Sequence, residues 1–178
     1  MRSEWLGVFA MYLHLLGLAA YVGGSLVMEF VVGPAQKAIP PAQQQVMGEK
    51  TADRFLVMVW ASLGVLLVSG VLQTYPAHTE RLLVGHGLLS SAYGRTLFIM
   101  MALWVVLVVN GAIITFVLRP KLKGKMSAQA GAAQAQSRQQ EMITAASRIV
   151  LITRIDLVIA LLLPLVGAGL IQRTTGLF

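Results

Sequence analysis

The chain contains no cysteine, which excludes disulfide frameworks, cysteine-held zinc and iron–sulfur clusters. Any metal chemistry therefore falls to His, Met, Asp or Glu. Charge is scarce too: 12% of the 178 residues are Asp, Glu, Lys or Arg, and only 7 of those are acidic. With so little charge the chain cannot clothe an ordinary soluble surface. Histidine is limited to His14, His78 and His86, so the list of imidazole ligands is short.

What fills the chain is apolar. Hydrophobic residues make up 57% of it and the mean hydropathy is +0.75, values that belong to an integral membrane protein. The net charge of +7 does not mark a nucleic-acid binder, because the basic residues sit beside apolar runs and no aromatic-studded basic patch is present. Anionic lipid headgroups account for them. The first run, residues 6–28, is uncharged for 23 residues, too long for a signal-peptide core and without a convincing cleavage site. It reads as a retained membrane helix.

A membrane span needs about 20 apolar residues at roughly 1.5 Å rise each. Four segments meet this, at about 5–33, 55–75, 95–118 and 145–171. The fourth must start near Ala145 to be long enough, which draws Arg154 and Asp156 into the inner edge of the bilayer; Pro164 predicts a kink, because it cannot donate to the Ala160 carbonyl. Short connections predict an all-α, antiparallel four-helix bundle spanning residues 1–178 as a single domain. The Ala/Gln-rich loop, about 119–147, lacks proline apart from Pro120 and suits a solvated helical extension of the fourth span.

Orientation follows from Lys and Arg. Loops 1 and 3 with their helix ends carry ten of them and the opposite side carries only Arg2, Arg81, Arg95 and Arg173. This bias predicts cytoplasmic loops 1 and 3 and both termini outside, in a bacterial inner membrane. Small residues mark expected helix contacts: Gly17, Ala20 and Gly24 in span 1, Ser62, Ser69 and Gly70 in span 2, Gly111 and Ala112 in span 3.

His14 stands inside the first span. An imidazole there needs a partner or costs one to several kcal/mol, and intramembrane ionisable groups are functional candidates by default. The plain alternative is a hydrogen bond to Ser, Thr or Tyr of a neighbouring helix. Ligation of haem iron or copper instead uses the neutral ring. For haem, Gly17 and Tyr21, one and two turns along the same face, would lie beside the porphyrin. Met100 is the candidate second ligand, with Met101, His78 and His86 as alternatives; a site shared by His14 of two protomers, and five-coordinate iron, also stay open. Counted inward from the span ends, Met100 misses the depth of His14 by about 6 Å. Arg95, at the outer end of span 3, is placed to pair with a propionate or to snorkel to the interface. On the inner side Glu29, Arg54, Arg148, Arg154 and Asp156 converge, with Asn110 slightly deeper, as an ion-pair network or a proton path.

The stretches "HLLGLAAYVGGSL", "RFLVMVWASLGVLLVSGVLQT", "YGRTLFIMMALW" and "ASRIVLITRIDLVIALLL" together resemble the copper-resistance D (CopD-like) membrane proteins and the related HemJ proteins. The resemblance touches all four spans. It implies a four-helix unit whose first-helix His, here His14, ligates a metal or haem. It also implies a Lys in the third helix a few residues after the Gly-Arg pair; Met100 stands there instead, which speaks against HemJ-like protoporphyrinogen oxidase activity and for thioether ligation.

The leading expectation is a haem b-binding, cytochrome-like electron carrier, with His14 as axial ligand and with quinone or a redox partner on the outer side. The alternatives are a CopD-like copper permease using His14, Met100, Met101 and His78 or His86, a thioether and imidazole set suited to Cu(I), and a HemJ-like protoporphyrinogen oxidase. Any of these could act as a homo-oligomer or as a subunit of a larger complex.

Overall fold

The structure, a computed structural model, describes residues 2–74, 89, 91–122 and 132–175. Its helices are α1 (Arg2–Val27), a π-helical turn (Met28–Val32), α2 (Gly33–Lys37), α3 (Pro41–Thr74), α4 (Ala92–Ala112), a second π-helical turn (Ile113–Leu118), α5 (Arg119–Leu122) and α6 (Ala132–Thr175). Four candidate spans result, Trp5–Lys37, Val46–Gln73, Gly94–Leu122 and Gln136–Ala168, and their mean hydropathies run from 1.9 to 2.6. No strand occurs among the described residues. The fold is the four-helix integral-membrane bundle that the hydropathy pattern predicts.

Two helices are longer than their apolar cores. Helix α3 begins at Pro41 rather than near Phe55, because proline is pre-set for a first helical turn and the Pro40 carbonyl takes the amides of Gln43 and Gln44 at 2.9 and 3.0 Å. Helix α6 begins at Ala132, within the Ala/Gln-rich stretch. It continues through Pro164 as one helix. Helix α4 starts where Ser91 caps it, the hydroxyl accepting from the Gly94 amide at 2.9 Å. The two π-helical turns, at the C-terminal ends of spans 1 and 3, have no counterpart in the hydropathy pattern.

The packed pairs are α1 with α3, α4 with α6, α1 with α6, and α3 with α4. Helices α1 and α4 therefore occupy one diagonal of the bundle and α3 and α6 the other. The outer surface is apolar, with Val57 and Phe116 each 71% exposed, as expected where lipid replaces water. Close contacts are made by small residues: Ala10, Ser25, Ser62, Ser69, Ala145 and Ala160 are all buried. The central core joins Tyr21, Val59, Leu63, Leu107, Ala160 and Leu163, one or two from each span. Both interior tryptophans anchor neighbouring helices, Trp60 donating to Thr115 Oγ1 and Trp104 to the Leu63 carbonyl, each at 3.2 Å.

Candidate functional site

His14 lies on α1 against α3, its Nδ1 3.0 Å from Ser69 Oγ. The Ser69 hydroxyl hydrogen is already engaged: Oγ donates back along α3 to the Val65 carbonyl at 2.6 Å, with the Leu66 carbonyl at 3.2 Å. A hydroxyl has one hydrogen to give, so Oγ must accept from Nδ1–H. The ring is thereby held in the tautomer that keeps a lone pair on Nε2, the form that ligates a metal. The plain alternative for His14, a bond to a serine of the next helix, is thus present, with the Leu66 backbone as a further partner of the ring.

The core gives the depth of every span. Tyr21, Leu63, Leu107 and Ala160 pack together, and seven residues outward from each, two helical turns on the same face, stand His14, Gly70, Met100 and Gly167. All four are half-buried and lie about 10 Å outward of the core. Counted from these core residues rather than from the span ends, His14 and Met100 fall at equal helical offsets.

Contacts support this register. The open side of Gly70 faces His14 Cε1, which would lie 3.9 Å from an added Cβ, and the open side of Gly167 faces the Met100 methyl at 3.8 Å. On the α1–α4 diagonal stand an imidazole and a thioether. On the other diagonal stand two glycines, which leave the space between them unfilled by side chains of their own.

The remaining predicted residues fall elsewhere. Gly17 is used for packing: a Cβ there would meet Val65 Cγ1 at 3.1 Å, and Leu66 Cγ and the Ser62 carbonyl at 3.4 Å. Tyr21 is 4% exposed within the central core, so neither side chain position offers a free face to a porphyrin. Arg95 is exposed at the outer end of α4, its amide donating to the Ser91 carbonyl at 3.0 Å. Met101 is 48% exposed on the lipid side. His78 and His86 lie outside the described residues, and among the described residues no three of His, Asp and Glu gather into a metal cluster.

The inner polar groups resolve into pairs. Arg154 binds Glu29 through both Nε and an Nη at 2.9 and 2.8 Å, joining α6 to the first π-helical turn. Arg119 pairs with Asp53, joining the end of span 3 to α3. Asp156 is 6% exposed and accepts from Asn110 Nδ2 at 2.7 Å, with Tyr21 as its electrostatic neighbour on α1. Arg148 is not part of these pairs; with Lys121, Glu141 and Thr144 it lines a groove of about 450 Å³ beside Leu118.

Sequence reasoning missed the roles of Ser69, Gly70 and Gly167 as surroundings of His14 and Met100. The available signal was the shared seven-residue step from Tyr21, Leu63, Leu107 and Ala160, and recognising it required knowing that those four meet. No curated protein and no solved structure matches the chain. Residues 49–170 do match the family described as CopD, copper resistance protein D, and the chain belongs to that family.

Proposed function

We propose that this CopD-family chain carries copper(I) through the membrane and that the imidazole of His14 and the thioether of Met100 receive it near the outer face. The observation that carries the reading is the layer His14, Gly70, Met100 and Gly167, in which a nitrogen and a sulfur donor stand on one diagonal and two glycines on the other. Soft sulfur with imidazole suits Cu(I), and two-coordinate binding needs no third His or carboxylate. Membership of a family described by copper resistance supports the same cargo. The Lys/Arg bias supports an arrangement with both termini outside, as in a bacterial inner membrane, which puts the His14 layer toward the outer side.

Within such a site the chain's own residues have distinct tasks. Ser69 fixes the tautomer and the plane of the ring; Gly70 lets the ring lie close to α3; Gly167 leaves room for the Met100 methyl to turn. The test is uptake of Cu(I) by proteoliposomes holding the full chain. Wild type should accumulate copper above protein-free vesicles, and His14→Ala and Met100→Leu should each abolish the excess. Equal uptake by all three would refute the reading.

Haem b with His14 as axial ligand is the second reading; His and Met together are an accepted axial set. The packed surroundings of Gly17 and Tyr21 favour the smaller cargo. A Soret band in protein expressed with ample haem, lost in His14→Ala, would decide for haem; a quinone or other redox partner at the outer side would then be the next candidate.

A further inference from the structure

The carboxyl of Asp156 has no task in the copper site. It lies on α6 eleven residues inward of Gly167, about 16 Å deeper along the helix, and is 6% exposed. Among the described residues it takes one hydrogen bond, from the neutral amide of Asn110 at 2.7 Å, and forms no ion pair. The nearest basic residue in sequence, Arg154, is turned to Glu29, and Arg119 is held by Asp53.

Among the described residues, no hydrogen bond or ion pair joins Asp156 to a basic side chain. From α1 the facing titratable group is the Tyr21 phenol, from α4 it is neutral Asn110, and α3 contributes apolar Val59 and Leu63 to the cluster around Tyr21. A bare carboxylate enclosed by protein within a lipid-spanning bundle is costly, and it is tolerated when a proton or a cation neutralises it. With no ion pair to Asp156 among the described residues, the proton is the simpler partner.

We infer that Asp156 is a proton-exchange group: its carboxyl carries a proton while the bundle is empty and releases it when a monovalent cation moves inward from the His14 layer. This rests on the copper reading. One positive charge arrives as Cu(I) and one leaves as H⁺, so the charge of the bundle stays constant and no electron is transferred. Asn110 is a positioning residue, its amide holding Oδ1 so that Oδ2 carries the proton.

Infrared difference spectroscopy on the full chain in detergent at neutral pH tests this, with Ag⁺ in excess as a redox-inert stand-in for Cu(I). Wild type should show the deuterium-sensitive C=O stretch of a protonated carboxyl; the band should be missing in Asp156→Asn and displaced in Asn110→Ala. Silver should bleach it and release about one proton per chain into weak buffer. A wild type without the band, or a band that survives in Asp156→Asn, overturns the inference. A band unmoved while silver binds at His14 overturns the exchange and leaves the copper reading intact. No silver binding removes both the copper reading and the exchange.

Discussion

Nδ1 of His14 and Oγ of Ser69 meet at 3.0 Å across the contact of α1 with α3, and the serine's own hydrogen is spent on the Val65 carbonyl. The bond therefore has a direction. Removing the acceptor by Ser69→Ala frees the ring to change tautomer and rotate. An outer-shell loss of this kind lowers metal affinity by about ten- to a hundredfold, while an interhelical hydrogen bond in a membrane protein is worth only about 1 kcal/mol of stability. Silver titration by calorimetry, beside thermal unfolding in detergent, should show a large affinity loss and a small stability loss. An unchanged affinity would detach Ser69 from the site.

Gly17 has the tightest surroundings of the candidate residues on α1 apart from Gly24. Gly17→Leu drives a branched side chain into Val65, Leu66 and the Ser62 carbonyl, and overpacking of this sort costs about 1–3 kcal/mol. The melting temperature should fall clearly. If Gly17 instead bordered an open cofactor pocket, the same substitution would leave stability unchanged and displace the cofactor.

Gly24 makes a control for that experiment. An added Cβ would collide only with the thioether end of Met58, a flexible side chain that can swing aside. Gly24→Ala should therefore be tolerated better than Gly17→Leu, read by the same unfolding measurement.

The span count and the apolar character of the bundle were legible because both depend on local composition. Helix extension beyond the bilayer was legible for α6, where the Ala/Gln-rich segment favours helix, and missed for α3, whose span was expected from about residue 55 although Pro40 and Pro41 start the helix. The candidate site was half legible. His14 and Met100 stand out by residue type, but their common depth depends on how four helices stagger. That stagger is fixed by side-chain packing around Tyr21 and Leu107, which hydropathy does not encode. The Asp156 pairing with Asn110 was visible only as a rough convergence.

The Glu29–Arg154 pair joins two spans, yet its side chains are 26% and 61% exposed. Pairs this open to solvent contribute roughly 0–1 kcal/mol. Arg154→Gln should lower the melting temperature slightly, by less at high salt, and the charge-swapped double variant Glu29→Arg with Arg154→Glu should recover the loss. A drop beyond that range would mean the pair holds the inner end closed.

Gly167 tests the second diagonal. Gly167→Leu places a bulky side chain where the Met100 methyl lies, so cation binding should be lost while helix content by circular dichroism is retained. Retained binding would show that Met100 does not need that corner.

The most direct measurement is X-ray absorption at the copper edge on the full chain loaded with Cu(I), for wild type, His14→Ala and Met100→Leu. A shared site predicts a first shell of imidazole nitrogen and thioether sulfur in wild type, loss of the imidazole scattering in His14→Ala and loss of the sulfur in Met100→Leu. Identical spectra for all three proteins, or no bound copper in wild type, would contradict it.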